Sequence, residues 1–328
     1  MMFMFYGMRP EEKEYVISWS QQNNVQVKTT AELLTADTVE QAQGADGIVA
    51  LQTQAYPKEV FDKMSQMGIK SLSLRNVGTD NVDKEAAKAN NIRISNVPAY
   101  SPNAIAEFAV SSMMQLLRQT RKVIQYVEDG ELKEAVALVG KELSAQTIGV
   151  VGTGRIGKRV VDILQGMGAK VVAYDPAFHQ PGIDYVDDLN DLLKQSDVLT
   201  LHLPGMPATE HLINEKNISL MKPSAYLVNA ARGMIVETRA LINALKERRL
   251  AGAALDTFEN EDELGKAMAQ GHDNQDSDYQ TLKSMDNVIL TPHIAYHTDI
   301  AVHNMVHQSL DSAYQFSQGQ NPENEVKF

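Results

Sequence analysis

Thr147-Ile148-Gly149-Val150-Val151-Gly152-Thr153-Gly154-Arg155-Ile156-Gly157 is the stretch on which the fold turns. Its first five residues are β-branched or small and predict a buried strand, and the pattern from Arg155 to about Met167 predicts a helix. Between them lies Gly-x-Gly-x-x-Gly. Such glycines also mark ordinary tight turns, so their meaning depends on the strand before and the helix after. In that context the first permits the turn and the second lets backbone approach a pyrophosphate. The third lets the helix pack close to the sheet, with its N-terminal amides facing the anion. The next strand, Lys170–Tyr174, is followed by Asp175, 18 residues beyond Gly157. A carboxylate there accepts hydrogen bonds from both ribose hydroxyls and repels a 2′-phosphate, which favours NAD over NADP.

Outward from this stretch, strand and helix patterns alternate. Asp187–Gln195 reads as helical, Asp197–Leu203 as strand, Ala225–Asn229 as strand, Thr238–Arg249 as helix, and Gly252–Leu255 and Asn287–Leu290 as strands. This repetition predicts a parallel sheet covered by helices on both faces. A weaker version runs through the first hundred residues, with strands at Phe3–Tyr6, Gly47–Leu51, Lys70–Leu74 and Asn91–Asn96 and a helix at Glu11–Gln22. Interruptions at Pro98–Pro102 and around Pro292–His297 suggest boundaries. The expected class is therefore α/β with two Rossmann-like domains, each a doubly wound parallel sheet. A nucleotide domain spans 101–297, and a substrate domain joins 1–100 to 298–328. The substrate is expected in a cleft between them.

The 328 residues are 43% hydrophobic and carry a formal charge of −12, which disfavours nucleic acid and anionic membranes as partners. No apolar run reaches the ~18 residues of a membrane span, and the short apolar start lacks the basic flank of a signal peptide. The absence of cysteine fits a reducing cytoplasm and excludes a thiol nucleophile.

Three polar positions follow strand-like segments, where the ligand crevice of such a sheet forms. Arg232 follows AYLVNAA, Asp256 ends AGAAL with Glu261 five residues on, and His293 follows VILTP. Reduction of a 2-oxo acid needs a cation on the carboxylate and ketone, and arginine's fork suits a carboxylate. It also needs an acid for the developing alkoxide. Histidine fits, and a nearby carboxylate keeps it protonated. Taken singly, each has an ordinary reading: a surface ion pair, a structural histidine, or, for Glu261 among Glu259, Asn260, Asp262 and Glu263, a solvated acidic loop.

Together the stretches Leu74–Asp83 (LRNVGTDNVD), Asn96–Ala109, Val151–Gly157, Asn229–Gly233 (NAARG), Leu255–Glu261 (LDTFENE) and Thr291–Thr298 (TPHIAYHT) resemble the D-isomer-specific 2-hydroxyacid dehydrogenases over essentially the whole chain. The likeness is greatest to the bacterial D-lactate and D-2-hydroxyisocaproate branches. It implies Arg232 as substrate-binding arginine, His293 as acid–base and Glu261 as its partner. Val77 and Gly78 match carboxylate-binding amides, and Tyr100 and Tyr296 match pocket positions. For the cofactor it implies Gly152, Gly154, Arg155, Ile156, Gly157, Asp175, Leu203, Pro204, Thr209, Ala230, Arg232 and Asp256. It further implies NAD, no metal, and a homodimer whose contact includes the helix beginning near Ser101. His297 departs from the pattern, where relatives carry an aromatic residue, and is expected to face solvent. The stretches LQTQAY (Leu51–Tyr56), IAEFA and PHIAY favour bulky apolar 2-oxo acids such as 2-oxoisocaproate or phenylpyruvate. A D-lactate dehydrogenase acting on pyruvate and an NAD(H)-sensing binding scaffold are the alternatives.

Overall fold

In the computed structural model the chain forms two compact units, Met1–Ser101 with His297–Phe328, and Pro102–Tyr296. The structure describes residues 1–327, with only the backbone described at Asp262, Lys266, Met268, Ala269 and Gln270.

The first unit runs β1 (Met2–Phe5), α1 (Lys13–Asn23), β2 (Gln26–Thr29), β3 (Gly47–Ala50), α2 (Lys58–Gln66), β4 (Ser71–Leu74), α3 (Lys84–Ala89) and β5 (Arg93–Ser95). Its sheet has the order β2-β1-β3-β4-β5, all parallel. Strand alternation sorts side chains to two faces. Met4, Ile48, Ala50, Leu72 and Leu74 pack with Phe61 and Met64 of α2 and with Ala86 and Ala87 of α3. Phe3, Phe5 and Val49 point the other way, against Val16 and Trp19 of α1.

The second unit runs α4 (Pro102–Leu117), α5 (Thr120–Glu128), α6 (Leu132–Ala137), β6 (Thr147–Val151), α7 (Arg155–Gly166), β7 (Lys170–Tyr174), β8 (Asp184–Tyr185), α8 (Leu189–Gln195), β9 (Val198–Leu201), α9 (Glu215–Ile218), β10 (Tyr226–Asn229), α10 (Thr238–Lys246), β11 (Gly252–Leu255), α11 (Glu261–Gln270), α12 (Ser277–Ser284) and β12 (Val288–Leu290). The sheet order is β12-β11-β10-β9-β6-β7-β8, again all parallel. Ile148, Val150, Val198, Val228 and Ala254 face α4 and α7. Val151, Leu199, Leu201, Leu227, Ala253 and Leu255 face α8 and α10. Helices therefore cover both faces, and each fully buried Val, Leu or Ile contributes roughly 1.5–3 kcal/mol. The order reverses between β9 and β6, so the carboxyl ends of these strands carry the switch point where such sheets bind ligands.

Helix α13 (Asp299–Ser317) returns to the first unit, burying Val306, Leu310 and Ala313 beside Phe3, Phe5 and Trp19. The Trp19 indole N–H donates to Asp311 Oδ1 at 2.7 Å. Among the described residues no helix is long and apolar enough to cross a membrane.

Candidate active site

At the carboxyl end of β6 the chain turns through Gly152, whose φ of 87° lies in the left-handed region that glycine adopts without strain. A Cβ there would stand 2.5 Å from the His202 carbonyl oxygen. A Cβ on Gly157 would fall 1.9 Å from the Gly152 carbonyl oxygen, so α7 and the turn meet only because both residues are glycine. A Cβ on Gly154, by contrast, would meet nothing within 4 Å, which leaves the loop's outer side open at the start of α7. The amides of Arg155, Ile156 and Gly157 fall in the helix's first turn, where N–H groups lack intrahelical acceptors. This cradle fits a pyrophosphate.

Asp175 follows β7 and is held from within. Its Oδ2 accepts the Thr153 N–H at 2.7 Å and the Thr153 hydroxyl at 3.1 Å, while Oδ1 accepts the N–H groups of Ala177 and Phe178, both at 2.9 Å. Burial alone would push its pKa up, but these donors hold it below the ordinary carboxylate range. The nearly buried side chain thus stays ionised, and its negative charge disfavours a phosphate beside it. His202, just beyond β9, was not singled out by sequence reasoning. Burial pushes its pKa down to about 4, so a neutral imidazole, bonded through Nε2 to Thr200 Oγ1 at 2.9 Å, backs the glycine turn. Leu203, Pro204 and Thr209 continue from it, and the Thr209 hydroxyl ties the loop together by donating to the Pro204 carbonyl at 2.8 Å.

The acid–base candidates meet. His293 Nδ1 lies 3.0 Å from Glu261 Oε2, with side chains 34% and 23% exposed. Burial works against a charged imidazole, but the carboxylates of Glu261 and Asp256 prevail over burial and over Arg232, and raise the His293 pKa. His293 itself has φ 55°, unusual for a residue with a Cβ and held by the surrounding bonds. Its N–H donates to the Asp256 carbonyl at 2.9 Å. The Asp256 carboxylate in turn accepts the Thr291 hydroxyl and the N–H groups of Ile294 and Ala295, at 2.9 and 2.8 Å. Asp256, matched by resemblance to the nicotinamide end, therefore shapes the histidine loop directly. The Tyr296 and His293 rings lie nearly perpendicular, with centroids 6.3 Å apart.

Arg232 sits beyond β10, after Ala230 and Ala231. Its carbonyl accepts Asn229 Nδ2 at 2.9 Å and its Nη1 donates to the Ala231 carbonyl at 2.8 Å. The rest of the guanidinium donates to nothing among the described residues.

In the first unit, Val77 and Gly78 follow β4 on a loop whose carbonyls are fixed from the side. Asn96 Nδ2 donates to the Val77 carbonyl and Asn76 Nδ2 to that of Gly78, both at 2.6 Å. The N–H groups of Val77 and Gly78 donate to nothing among the described residues, which leaves them available to an anion. Arg75, fully buried just before them, pairs with Glu12 at 3.0 Å and donates to the Tyr6 and Gly7 carbonyls, both at 2.8 Å. The Tyr100 carbonyl accepts Asn304 Nδ2 of α13 at 2.7 Å. His297, expected to face solvent, is exposed, and it also pairs through Nε2 with Glu11 Oε1 at 3.0 Å. The partner comes from a segment 286 residues away, beyond the reach of local sequence reading.

The chain matches the model of the D-isomer-specific 2-hydroxyacid dehydrogenase NAD-binding domain over residues 110–295. It is 46% identical over 319 residues to a D-2-hydroxyacid dehydrogenase (NAD+) of Lacticaseibacillus paracasei, covering 96% of each chain. To a D-lactate dehydrogenase of Lactiplantibacillus plantarum it is 43% identical over 333 residues, covering 100% of each. Among solved structures, that of a D-2-hydroxyisocaproate dehydrogenase superposes with a TM-score of 0.92 at 45% identity, covering 99% of each chain.

Proposed function

Because the chain belongs to the D-isomer-specific 2-hydroxyacid dehydrogenases, we propose that it reduces 2-oxo acids with bulky apolar side chains, such as 2-oxoisocaproate or phenylpyruvate, to D-2-hydroxy acids. The reaction class and the cofactor, NAD, are those of the family. Bound as NADH, it supplies the hydride that reaches C2. Arg232 meets the substrate carboxylate with its fork and polarises the ketone, and the Val77 and Gly78 amides hold the carboxylate's remaining lone pairs. His293, engaged by Glu261 through Nδ1, gives the proton on Nε2 to the oxygen at C2, and in the oxidative direction takes it back. Gly152 to Gly157 and Asp175 hold the pyrophosphate and adenosine ribose. Leu203, Pro204 and Thr209 flank the adenosine half, and Ala230 borders the nicotinamide end. Tyr100 and Tyr296 shape the side-chain pocket.

The observation that carries this reading is the His293–Glu261 contact, with its raised imidazole pKa, on the same strand ends as Arg232 and the glycine cradle. The substrate preference rests on the likeness of Leu51–Tyr56, Ile105–Ala109 and Pro292–Tyr296 to the D-2-hydroxyisocaproate branch, the first of these being a loop tied down by side chains. Gln52 bonds the Leu34 N–H at 2.9 Å, and Asn81 Nδ2 donates to the carbonyls of Gln52 and Gln54, both at 2.9 Å. NADH oxidation with pyruvate, 2-oxoisocaproate and phenylpyruvate, compared by kcat/KM in one buffer, tests it. Higher values for the larger acids uphold the preference. A clear lead for pyruvate makes the chain a D-lactate dehydrogenase, the reading favoured by the second relative above. No turnover with any of them would leave an NAD(H)-binding scaffold.

The working form is a homodimer in the cytoplasm, where NADH is supplied. In support, α5 and α6 bury none of their side chains, and Ile124, Val127, Leu132, Val136 and Val139 stand exposed, Val136 by 85%. A second copy would cover this face. Val136→Asp should shift the sedimentation coefficient to that of a monomer. A monomeric parent protein, or recovery with the cell envelope on fractionation, would refute these assignments.

A further inference from the structure

Glu259 lies two residues before Glu261 in what reads as an acidic loop, yet it turns inward. Its Oε2 accepts the backbone N–H of Thr238, the first residue of α10, at 2.6 Å, and its Oε1 pairs with Nε2 of His211. Three loops of the site meet at this carboxylate. The cofactor-side loop, which carries Leu203, Pro204 and Thr209, brings His211, whose N–H donates to the Met234 carbonyl at 2.8 Å and whose φ is 47°. The arginine loop touches it again at Gly205, where a Cβ would stand 3.1 Å from both Arg232 Cγ and Met234 Sδ. The glutamate loop is pressed against the arginine loop at Gly233, where a Cβ would fall 2.0 Å from the Phe258 carbonyl oxygen. Burial would raise the Glu259 pKa, but the Thr238 and His211 donors hold it low. His211, half-buried and facing Glu259, Glu237 and Glu210, is raised, chiefly by its hydrogen bond to Glu259. Each partner thus favours the charged form of the other. Glu261 has no comparable side-chain anchor: beyond His293 its Oε1 is buried with no partner among the described residues. It opens α11 directly after Glu259 and Asn260, whose side chains tie down the preceding backbone, Asn260 by donating to Asp276 at 2.8 Å.

We propose that Glu259 is a positioning residue, whose carboxylate, shared between His211 and the Thr238 amide, sets Glu261 beside His293 and couples that placement to the cofactor-side loop. This rests on the acid–base reading above. The groups facing His293 are Glu261, Asp256 and Arg232, so a displaced Glu261 leaves the imidazole with less support for its proton.

The test compares Glu261→Gln, Glu259→Ala and Glu259→Gln in the full-length protein, by kcat/KM for 2-oxoisocaproate and pyruvate across pH 6–9, with Tm measured alongside. Glu261→Gln is expected to move the alkaline limb to lower pH. Glu259→Ala is expected to move it the same way by about one unit, so activity falls roughly tenfold at pH 8.5 and only about twofold at pH 6. Glu259→Gln still accepts from Thr238 and can donate to a neutral His211, so it should stay within about threefold of the parent at both pH values. If Glu261→Gln moves the limb and Glu259→Ala does not, even with a lowered Tm, Glu259 is merely structural and the proposal falls. If Glu261→Gln leaves the limb in place, the acid–base reading itself fails.

Discussion

Replacing Gly157 by alanine and, separately, Gly154 by alanine should separate packing from cofactor binding within one loop. The Gly157 Cβ would sit 1.9 Å from the Gly152 carbonyl oxygen and 2.9 Å from its carbon, against an ordinary contact of 3.4–4 Å. The obstacle is backbone, not a side chain that can swing away, so α7 and the turn must part by about 1.5 Å. Overpacking of this kind costs about 1–3 kcal/mol, and the alanine returns up to ~1 kcal/mol of helix propensity. Because the obstacle is backbone the cost lies in the upper part of that range, and a net loss of about 1–2 kcal/mol corresponds to a Tm lower by roughly 2–8 °C for a unit of this size. The displaced turn also withdraws the amides that meet the pyrophosphate. Charge-assisted bonds of that type are worth about 1.5–3 kcal/mol each, so NADH should bind at least tenfold more weakly. Gly154→Ala has no steric obstacle within the protein, so its Tm should stay within about 2 °C of the parent. Its methyl group enters the space that the pyrophosphate needs, and NADH affinity should again fall at least tenfold. Differential scanning fluorimetry and NADH fluorescence titration read the two quantities. Equal Tm losses in both variants, or undiminished NADH affinity in Gly154→Ala, would refute the reasoning.

His293→Ala should lower kcat for 2-oxo acid reduction by at least ~10²-fold while NADH affinity stays within about threefold, because the imidazole acts on the substrate oxygen. Near-normal turnover would remove His293 from the mechanism. Asp175→Asn should raise kcat/KM with NADPH relative to NADH, and an unchanged ratio would show that this carboxylate does not select the cofactor. Because the folded pKa of Asp175 is lowered, its contribution to stability is complete above the ordinary carboxylate range. That contribution is lost as pH falls through the folded value, so Asp175→Asn should flatten the acid limb of a Tm-against-pH curve. Glu12→Leu leaves Arg75 charged and fully buried without its partner, which should cost about 3–5 kcal/mol in urea unfolding. A loss under ~1 kcal/mol would mean that the Tyr6 and Gly7 carbonyls alone suffice.

What could be read from the chain alone was local. Thr147–Val151, Lys170–Tyr174 and Gly252–Leu255 are strands with the boundaries that their apolar runs suggest, since a buried parallel strand must be apolar on both faces. The Gly152–Gly157 turn was legible for the same reason: φ and close approach constrain residue type at the position itself. β2 escaped notice because Gln26–Thr29 is a largely exposed edge with a polar pattern, and β8 because it has two residues. Helices α5 and α6 bury nothing within the unit, so no core-facing stripe distinguished them. The tertiary structure decided which charges meet. Beyond the Glu261–His293 pair that the family resemblance implied, it put His297 on Glu11 across 286 residues, and Glu259 between Thr238 and His211 across 21 and 48. Carboxylates in an acidic run are chemically alike along the chain. They acquire different neighbours, and hence different pKa values and tasks, only when strand ends distant in sequence converge.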